Sequence, residues 1–375
     1  MTTIAVRLAG FYVGSFAVIG IAVPFWPVWL ASKGLAPDEI GAVIAVSILT
    51  RASMASVVTR LVDALGERRR PMIALAGASL GAFLLFGLAD GFWSILGVTL
   101  IYASMMAPLH PLIETLTVQI AQERGFDYGH VRLWGSVAFI VSALAIGRIL
   151  VGGSPSAIFW FMTVSLAATF LTALFLPDSR PSPGVPMRGF ELVAKPSFLL
   201  LLGATAFVQA SHSVYYSFGT IAWQAAGYSE DAIGALWAEG VVAEVVLFAF
   251  GRTILTRVGA APLIALGGLA GVIRWTATGL TDAAIALVVV QALHALTFGA
   301  AHLGAVQLIQ RTVPPQLATT AQGLYVAMTG IGLGIGAYVS GQIYAAFQVR
   351  AYLFMAVTSA IGFGLALVLA RSSKD

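Results

Sequence analysis

The stretch Lys33-Gly34-Leu35-Ala36-Pro37-Asp38-Glu39-Ile40-Gly41-Ala42 returns 193 positions later as Ala226-Gly227-Tyr228-Ser229-Glu230-Asp231-Ala232-Ile233-Gly234-Ala235. In both copies a glycine turn leads into acidic residues and then a long apolar run. The echo continues downstream: Ile73-Ala74-Leu75-Ala76-Gly77 is matched by Ile264-Ala265-Leu266-Gly267-Gly268, with two residues deleted. A fixed offset held over such a distance marks a chain built from two tandem copies of one unit.

What each copy contains follows from composition. Of the 375 residues, 59% are hydrophobic and 10% charged, against about 25% charged in soluble domains. Mean hydropathy is +0.93. Apolar runs of about 20 residues recur throughout, each long enough to cross a bilayer as a helix, without the weaker alternation of a membrane barrel. Twelve spans are predicted, near Ile4–Leu30, Asp38–Val62, Pro71–Ala89, Phe92–Gln119, Phe126–Val151, Ala157–Leu176, Pro196–Trp223, Glu230–Leu255, Ala261–Leu280, Ala283–Gln310, Gln316–Phe347 and Tyr352–Arg371. The first run is longer than a signal-peptide core and lacks a small-residue exit, so a cleaved leader is not expected.

The connections carry charge unevenly. One set holds Arg7, Arg60, Arg68, Arg69, Arg70, Arg124, Arg180, Arg188, Lys195, Arg252, Arg257, Arg311, Arg371 and Lys374, the other little beyond Lys33, Arg148 and Arg350. The positive-inside rule then puts both termini in the cytoplasm of an inner-membrane protein. The net charge of +4 is thus topological and does not point to nucleic acid. Pro177 to Pro196 is rich in proline and reads as a cytoplasmic linker. The expected domains are a six-helix bundle over 1–176, a linker over 177–195 and a second bundle over 196–375. Parallel six-span repeats joined in this way describe the major facilitator layout, in which substrate binds near mid-membrane.

Charge inside the spans is costly, roughly 2.5 to 3.5 kcal/mol per residue on insertion scales, and therefore informative. Six such side chains lie away from span ends: Arg51, Arg132 and Arg274 against Glu114, Glu239 and Glu244. Arg51 and Glu244 are repeat-equivalent under the 193-residue offset. The alternative to a functional role is a set of buried ion pairs fixing helix register. Histidine is the side chain best matched to proton exchange near neutral pH. His110 lies one turn before Glu114, and His294 and His302 share a face of span ten. Each histidine equally suits a hydrogen-bonded core position. His212 lies near Gln209, Tyr215 and Tyr216 on span seven and reads as a cavity-lining or interhelical residue. Trp134, Phe139 and Trp237 are deep enough in their spans to stack on a ring, although packing also accounts for each.

Other chemistry is excluded or unsupported. With no cysteine there is no disulfide, thiolate metal site or cysteine nucleophile. No compact three-ligand set suggests a metal. Gly330-Ile331-Gly332-Leu333-Gly334-Ile335-Gly336 reads as close helix packing, and without a G-x-x-x-x-G-K-[ST] sequence ATP is not the expected energy source. A membrane enzyme lacks a nucleophile or metal site. A receptor would be expected to carry a soluble signalling segment, and only four residues follow Arg371.

Phe126-Asp127-Tyr128-Gly129-His130-Val131-Arg132-Leu133-Trp134-Gly135-Ser136-Val137 resembles the span-four to span-five region of the oligosaccharide:proton symporters typified by lactose permease, within the major facilitator superfamily. It is still more similar to the phenylpropionate permease family. Pro24-Phe25-Trp26-Pro27-Val28-Trp29-Leu30, Trp223-Gln224-Ala225-Ala226-Gly227-Tyr228-Ser229 and Gly240-Val241-Val242-Ala243-Glu244-Val245 extend that resemblance over nearly the whole chain. Asp63-Ala64-Leu65-Gly66-Glu67-Arg68-Arg69-Arg70 resembles the superfamily signature, with Thr59 in place of its leading glycine.

The resemblance implies a sugar-binding Glu and Arg at Glu114 and Arg132, a stacking ring at Phe139, and a proton-coupling arginine and histidine at Arg274 and His294. Thr297 stands where the lactose permease group has its coupling carboxylate, and Glu244 lies a turn beyond the matching glutamate. The resulting expectation is an all-α membrane protein that imports a small aromatic carboxylate with protons. Glu114, Arg132, Arg51, Arg274, Phe139, Trp134 and His212 are the substrate-binding candidates; Glu244, His294, His302 and His110 are the proton-coupling candidates. The expected partners are the solute, protons and the bilayer, with no cofactor and one chain sufficient. A sugar or nucleoside symporter is the alternative.

Overall fold

In a computed structural model that describes residues 3–178, 190–193, 195–314 and 317–372, the chain is helical, with no strand among the described residues. Helix is what these apolar runs require, because in hydrocarbon each backbone polar group needs a partner within its own segment. The helices of the first half are α1 (Thr3–Ser32), α2 (Pro37–Ala64), α3 (Arg69–Leu84), α4 (Phe92–Met106), α5 (Leu109–Arg124), α6 (Tyr128–Leu150) and α7 (Ser156–Ala173). After a short α8 (Phe190–Val193) come α9 (Pro196–Ala210), α10 (Ser213–Ala225), α11 (Glu230–Ala249), α12 (Gly251–Val258), α13 (Ala260–Leu280), α14 (Ala284–Ala292), α15 (Ala301–Thr312), α16 (Ala318–Phe347) and α17 (Ala351–Ser372). Among the described residues, eleven stretches are apolar and long enough to cross a membrane. The last, Thr320–Ser372, runs to 53 residues and contains both α16 and α17, broken at Gln348, where φ is 51°. Two crossings therefore fit within it, which accounts for all twelve expected spans.

The sequence repeat is visible in the backbone. Gly34 and Gly227 occupy the left-handed region at φ 82° and 88°, and so do Gly66 and Gly259, the next pair at the same offset, at 70° and 88°. Only glycine adopts that conformation without a Cβ clash. After Gly34, the Ala36 amide donates to Glu39 Oε2 at 2.9 Å and anchors the start of α2.

Packing divides the chain into two compact units. One comprises Met1–Val185 with Tyr228–Ala238, the other Pro186–Gly227 with Glu239–Asp375. The first half of α11 thus groups with the earlier helices, and the expected linker lies largely outside the described residues. In the first unit α1 packs on α6 and α7, and α3 on α7. Small residues permit the close approach: a Cβ on Gly14 would stand 2.8 Å from the Thr169 amide, and one on Gly20 would stand 2.6 Å from the Phe139 carbonyl. In the second unit α9 packs on α16 and α17, and α13 on α17, where Gly268 meets the Phe363 backbone.

Four spans read from the sequence as continuous are broken: span eight at Phe250, between α11 and α12, and three others beside polar residues. Span four divides at Ala107–Pro108, where proline has no amide hydrogen to give and crowds the preceding turn. Span seven divides at Ser211–His212 without a proline. There Ser211 Oγ, His212 Nδ1 and Ser213 Oγ bond to the carbonyls of Val208, Gln209 and Ala210, competing with the helix ladder. Span ten opens into a π-helical turn at Ala295–Ala300, a form concentrated at functional sites.

Candidate functional site: two charged clusters

The first cluster is built on α1, α5 and α6. Helix α5 ends on Gly125 in the left-handed conformation, and Asp127 caps α6 by accepting from the His130 amide at 3.2 Å. This short connection holds α5 and α6 as neighbours. Glu114 on α5 then receives Arg132 Nε at 2.9 Å and the Tyr128 hydroxyl. The two ionic side chains are about one-third exposed, 32% for Arg132 and 33% for Glu114. The Arg132 guanidinium lies 4.1 Å from the centre of the Phe16 ring and 5.7 Å from that of Tyr12. Its terminal nitrogens make no hydrogen bond among the described residues. A guanidinium held at Nε, backed by a ring and open at both Nη atoms presents the fork that binds a carboxylate in bidentate fashion.

The second cluster surrounds Arg274 of α13, which is fully buried. Its Nη1 donates to His294 Nδ1 and to Thr297 Oγ1, each at 3.1 Å, and its Nη2 to Gln291 Oε1 at 2.8 Å. The guanidinium is flanked by the rings of Tyr215 at 4.6 Å and Trp275 at 4.4 Å. Gln291 Nε2 donates on to the Tyr215 hydroxyl at 3.0 Å. Thr297 lies 3.0 Å from His212 Nε2, while His212 Nδ1 faces the Val208 and Gln209 carbonyls at 3.2 Å. That geometry fixes the direction of each bond: His212 donates from Nδ1, Thr297 donates to His212 Nε2, and Thr297 accepts from Arg274. On the other side of His294, Nε2 stands 3.8 Å from Glu244 Oε2 of α11. A charged arginine, two histidines and a carboxylate thus form one continuous network. Three such ligands in a compact group suited to a metal are absent among the described residues.

The sequence profile described as the MFS_1 like family matches residues 5–356. The chain belongs to the MFS_1-like family. It is 34% identical over 318 residues to the probable 3-phenylpropionic acid transporter of Escherichia coli K12, covering 80% of each chain. It is 26% identical to the maltose permease of Geobacillus stearothermophilus, covering 82% of this chain and 80% of that one. The crystal structure of a point mutant of the nucleoside transporter NupG superposes with a TM-score of 0.86 at 16% identity, covering 99% of this chain and 98% of that one. At such identity the last comparison establishes the fold alone. The protein is a multi-pass major facilitator transporter and not an enzyme.

In this MFS_1-like transporter the remaining sequence candidates make no hydrogen bond or ion pair to either cluster among the described residues. Arg51 is exposed, and among the described residues its one hydrogen bond runs from Nε to the Ser47 carbonyl at 3.4 Å. Trp134 is 45% exposed, and Phe139 is buried, its backbone against Gly20 of α1. His110 stacks edge-on to Phe16 at 5.2 Å, and its Nε2 is buried without a partner among the described residues. It shares a face with Glu114 yet does not bond to it. His302 pairs with the Tyr325 hydroxyl at 2.9 Å. Some residues of the two clusters escaped the sequence reading. Phe16 and Tyr12 are aromatic residues in a uniformly apolar run with nothing to mark them. Gln291 does carry a signal, a lone amide closing the run Ala284–Val290, whose burial demands partners.

Proposed function

We propose that this transporter imports a small aromatic carboxylate together with protons across the inner membrane, with both termini cytoplasmic. On this reading one chain suffices, and the bundles over 1–176 and 196–375 rock about the linker at 177–195 in alternating access. The observation that carries the proposal is the Arg132 guanidinium, held at Nε by Glu114 and open at both terminal nitrogens. Away from their ends, the spans of the first unit carry two arginines, Arg51 and Arg132, and one carboxylate, Glu114, an excess of positive charge that an anionic solute would neutralise. Phe16, beneath the guanidinium, supplies an apolar surface beside it. The printed name of the Escherichia coli relative, a probable 3-phenylpropionic acid transporter, supports the same solute class.

Arg274 enters the sequence reading as a possible substrate ligand, but its full burial favours a role in organising the proton site. Glu244 takes up and releases the proton, and His294, between Glu244 and Arg274, makes the arginine responsive to the charge on Glu244. His302 and His110 remain accessory proton candidates, and His212 acts through Thr297.

The test is uptake of labelled phenylpropionate by proteoliposomes with and without an inward proton gradient, with lactose and a nucleoside as controls. Saturable accumulation that collapses with the gradient is the expected result. Transport of the sugar or nucleoside with no phenylpropionate uptake replaces the carboxylate assignment by the alternative solute class.

A further inference from the structure

His294 and His302 lie on one face of span ten, and between them stands a ring with no exchangeable proton. The Phe298 ring stacks on His294 with centroids 5.5 Å apart and planes 15° apart, and on His302 at 6.3 Å and 12°. In a regular α-helix, residues eight apart diverge by about 80° around the axis. The π-helical turn at Ala295–Ala300 alters that rotation where these three rings come into register.

The titratable groups facing this column come from every element packed around it. His212, at the break between α9 and α10, lies 6.4 Å from Phe298 and 5.7 Å from His294, ring to ring, and Tyr215 of α10 lies 6.1 Å from His294. Glu244 of α11 approaches at Gly299 and His294, Arg274 of α13 bonds to His294, and Tyr325 of α16 bonds to His302. The polar groups therefore sort into two sets, one around His294 and one made of His302 and Tyr325, the latter nearer the Arg311 end of the span. No hydrogen bond links the sets among the described residues. A proton crosses between such sets only along donors and acceptors in hydrogen-bond contact, directly or through water.

We infer that Phe298 is an apolar gate that separates His302 and Tyr325 from the His294, Arg274 and Glu244 network and so prevents proton leak when no solute is bound. The inference rests on the proton-coupled reading above. The ring occupies the space that waters of about 30 Å³ each would fill, and waters settle where polar partners stand on both sides.

The experiment uses substrate-free proteoliposomes of the full chain enclosing a pH-sensitive dye and subjected to an external pH step. Wild type and Phe298→Leu, both apolar at this position, are expected to hold the step. Phe298→Ala opens space for water, and Phe298→Gln sets a bridging amide of comparable length there, so both are expected to acidify severalfold faster. If alanine folds poorly, the glutamine variant still decides the matter. Adding His302→Leu to either leaky variant is expected to restore wild-type tightness. Tight alanine and glutamine variants overturn the gate, as does a leak that survives His302→Leu. Wild-type uptake that ignores the proton gradient sinks the coupled reading itself and the gate with it, in a separate assay from the dye measurement.

Discussion

Arg274 donates from Nη1 to His294 Nδ1 across 3.1 Å, and because arginine only donates, His294 carries its hydrogen on Nε2. That is the atom 3.8 Å from Glu244 Oε2. The arginine therefore sets the tautomer through which the histidine meets the carboxylate. Any change of charge on Glu244 is felt at His294 first and at Arg274 through it.

Glu244→Gln keeps the size of the side chain and removes its proton chemistry. Gradient-driven accumulation of phenylpropionate is expected to vanish while exchange of labelled for unlabelled solute persists, as measured by counterflow in proteoliposomes. Loss of both, in a protein that remains monodisperse, places Glu244 in solute binding instead.

Thr297 both accepts from Arg274 and donates to His212, so its hydroxyl satisfies two buried groups. Thr297→Val leaves them unpaired and is expected to cost about 1–3 kcal/mol, whereas Thr297→Ser retains the bonds. A thermal-shift series in detergent checks this: serine near wild type, valine clearly lower.

Replacing Glu114 with Gln leaves the Tyr128 contact possible and removes the charge that holds Arg132 Nε. Phenylpropionate uptake is expected to fall to background, with folded protein still recovered from the membrane. Wild-type uptake by this variant would remove the pair from the mechanism.

Phe16 and Trp134 separate two accounts of the aromatic contact. The Phe16 ring backs the Arg132 guanidinium at 4.1 Å, and Phe16→Leu removes a cation–π contact of about 1 kcal/mol, roughly fivefold in apparent affinity if the solute anion binds there. Trp134, at 45% exposure, is expected to tolerate replacement by Leu without change in uptake. Concentration-dependent uptake of both variants distinguishes them, and the reverse pattern would restore Trp134 as the ring partner.

Gly34 and Gly227 offer a direct test of the repeat. Both have positive φ, and a Cβ at either would meet nothing within 4 Å, so alanine is penalised by backbone strain alone, about 1–2 kcal/mol. The two single variants are expected to lower the unfolding temperature by similar amounts. A large drop at one and none at the other would show that the two turns are not equivalent.

Much of the molecule was legible because the membrane restricts the choices open to a chain. Apolar run length reveals the spans, and the offset from Gly34 to Gly227 reveals the duplication. Glu114 and Arg132 stand out because isolated charge in hydrocarbon is costly, and the short turn between α5 and α6 makes them neighbours on local grounds. Arg274 was conspicuous for the same reason.

The shell around Arg274 was not legible. His212 and Thr297 are 85 residues apart in sequence, and their contact exists only because span seven breaks at Ser211–His212 and span ten widens at Ala295–Ala300. The sequence by itself determined which segments cross the membrane, that they repeat, and which residues are too polar to lie there without partners. Tertiary structure alone decided which neutral groups surround Arg274, that Arg132 keeps two nitrogens open, and that Phe298 stands between two histidines. The reason is physical: helix formation in an apolar solvent is governed by local composition, whereas side-chain partners are set by close packing between helices distant in the chain.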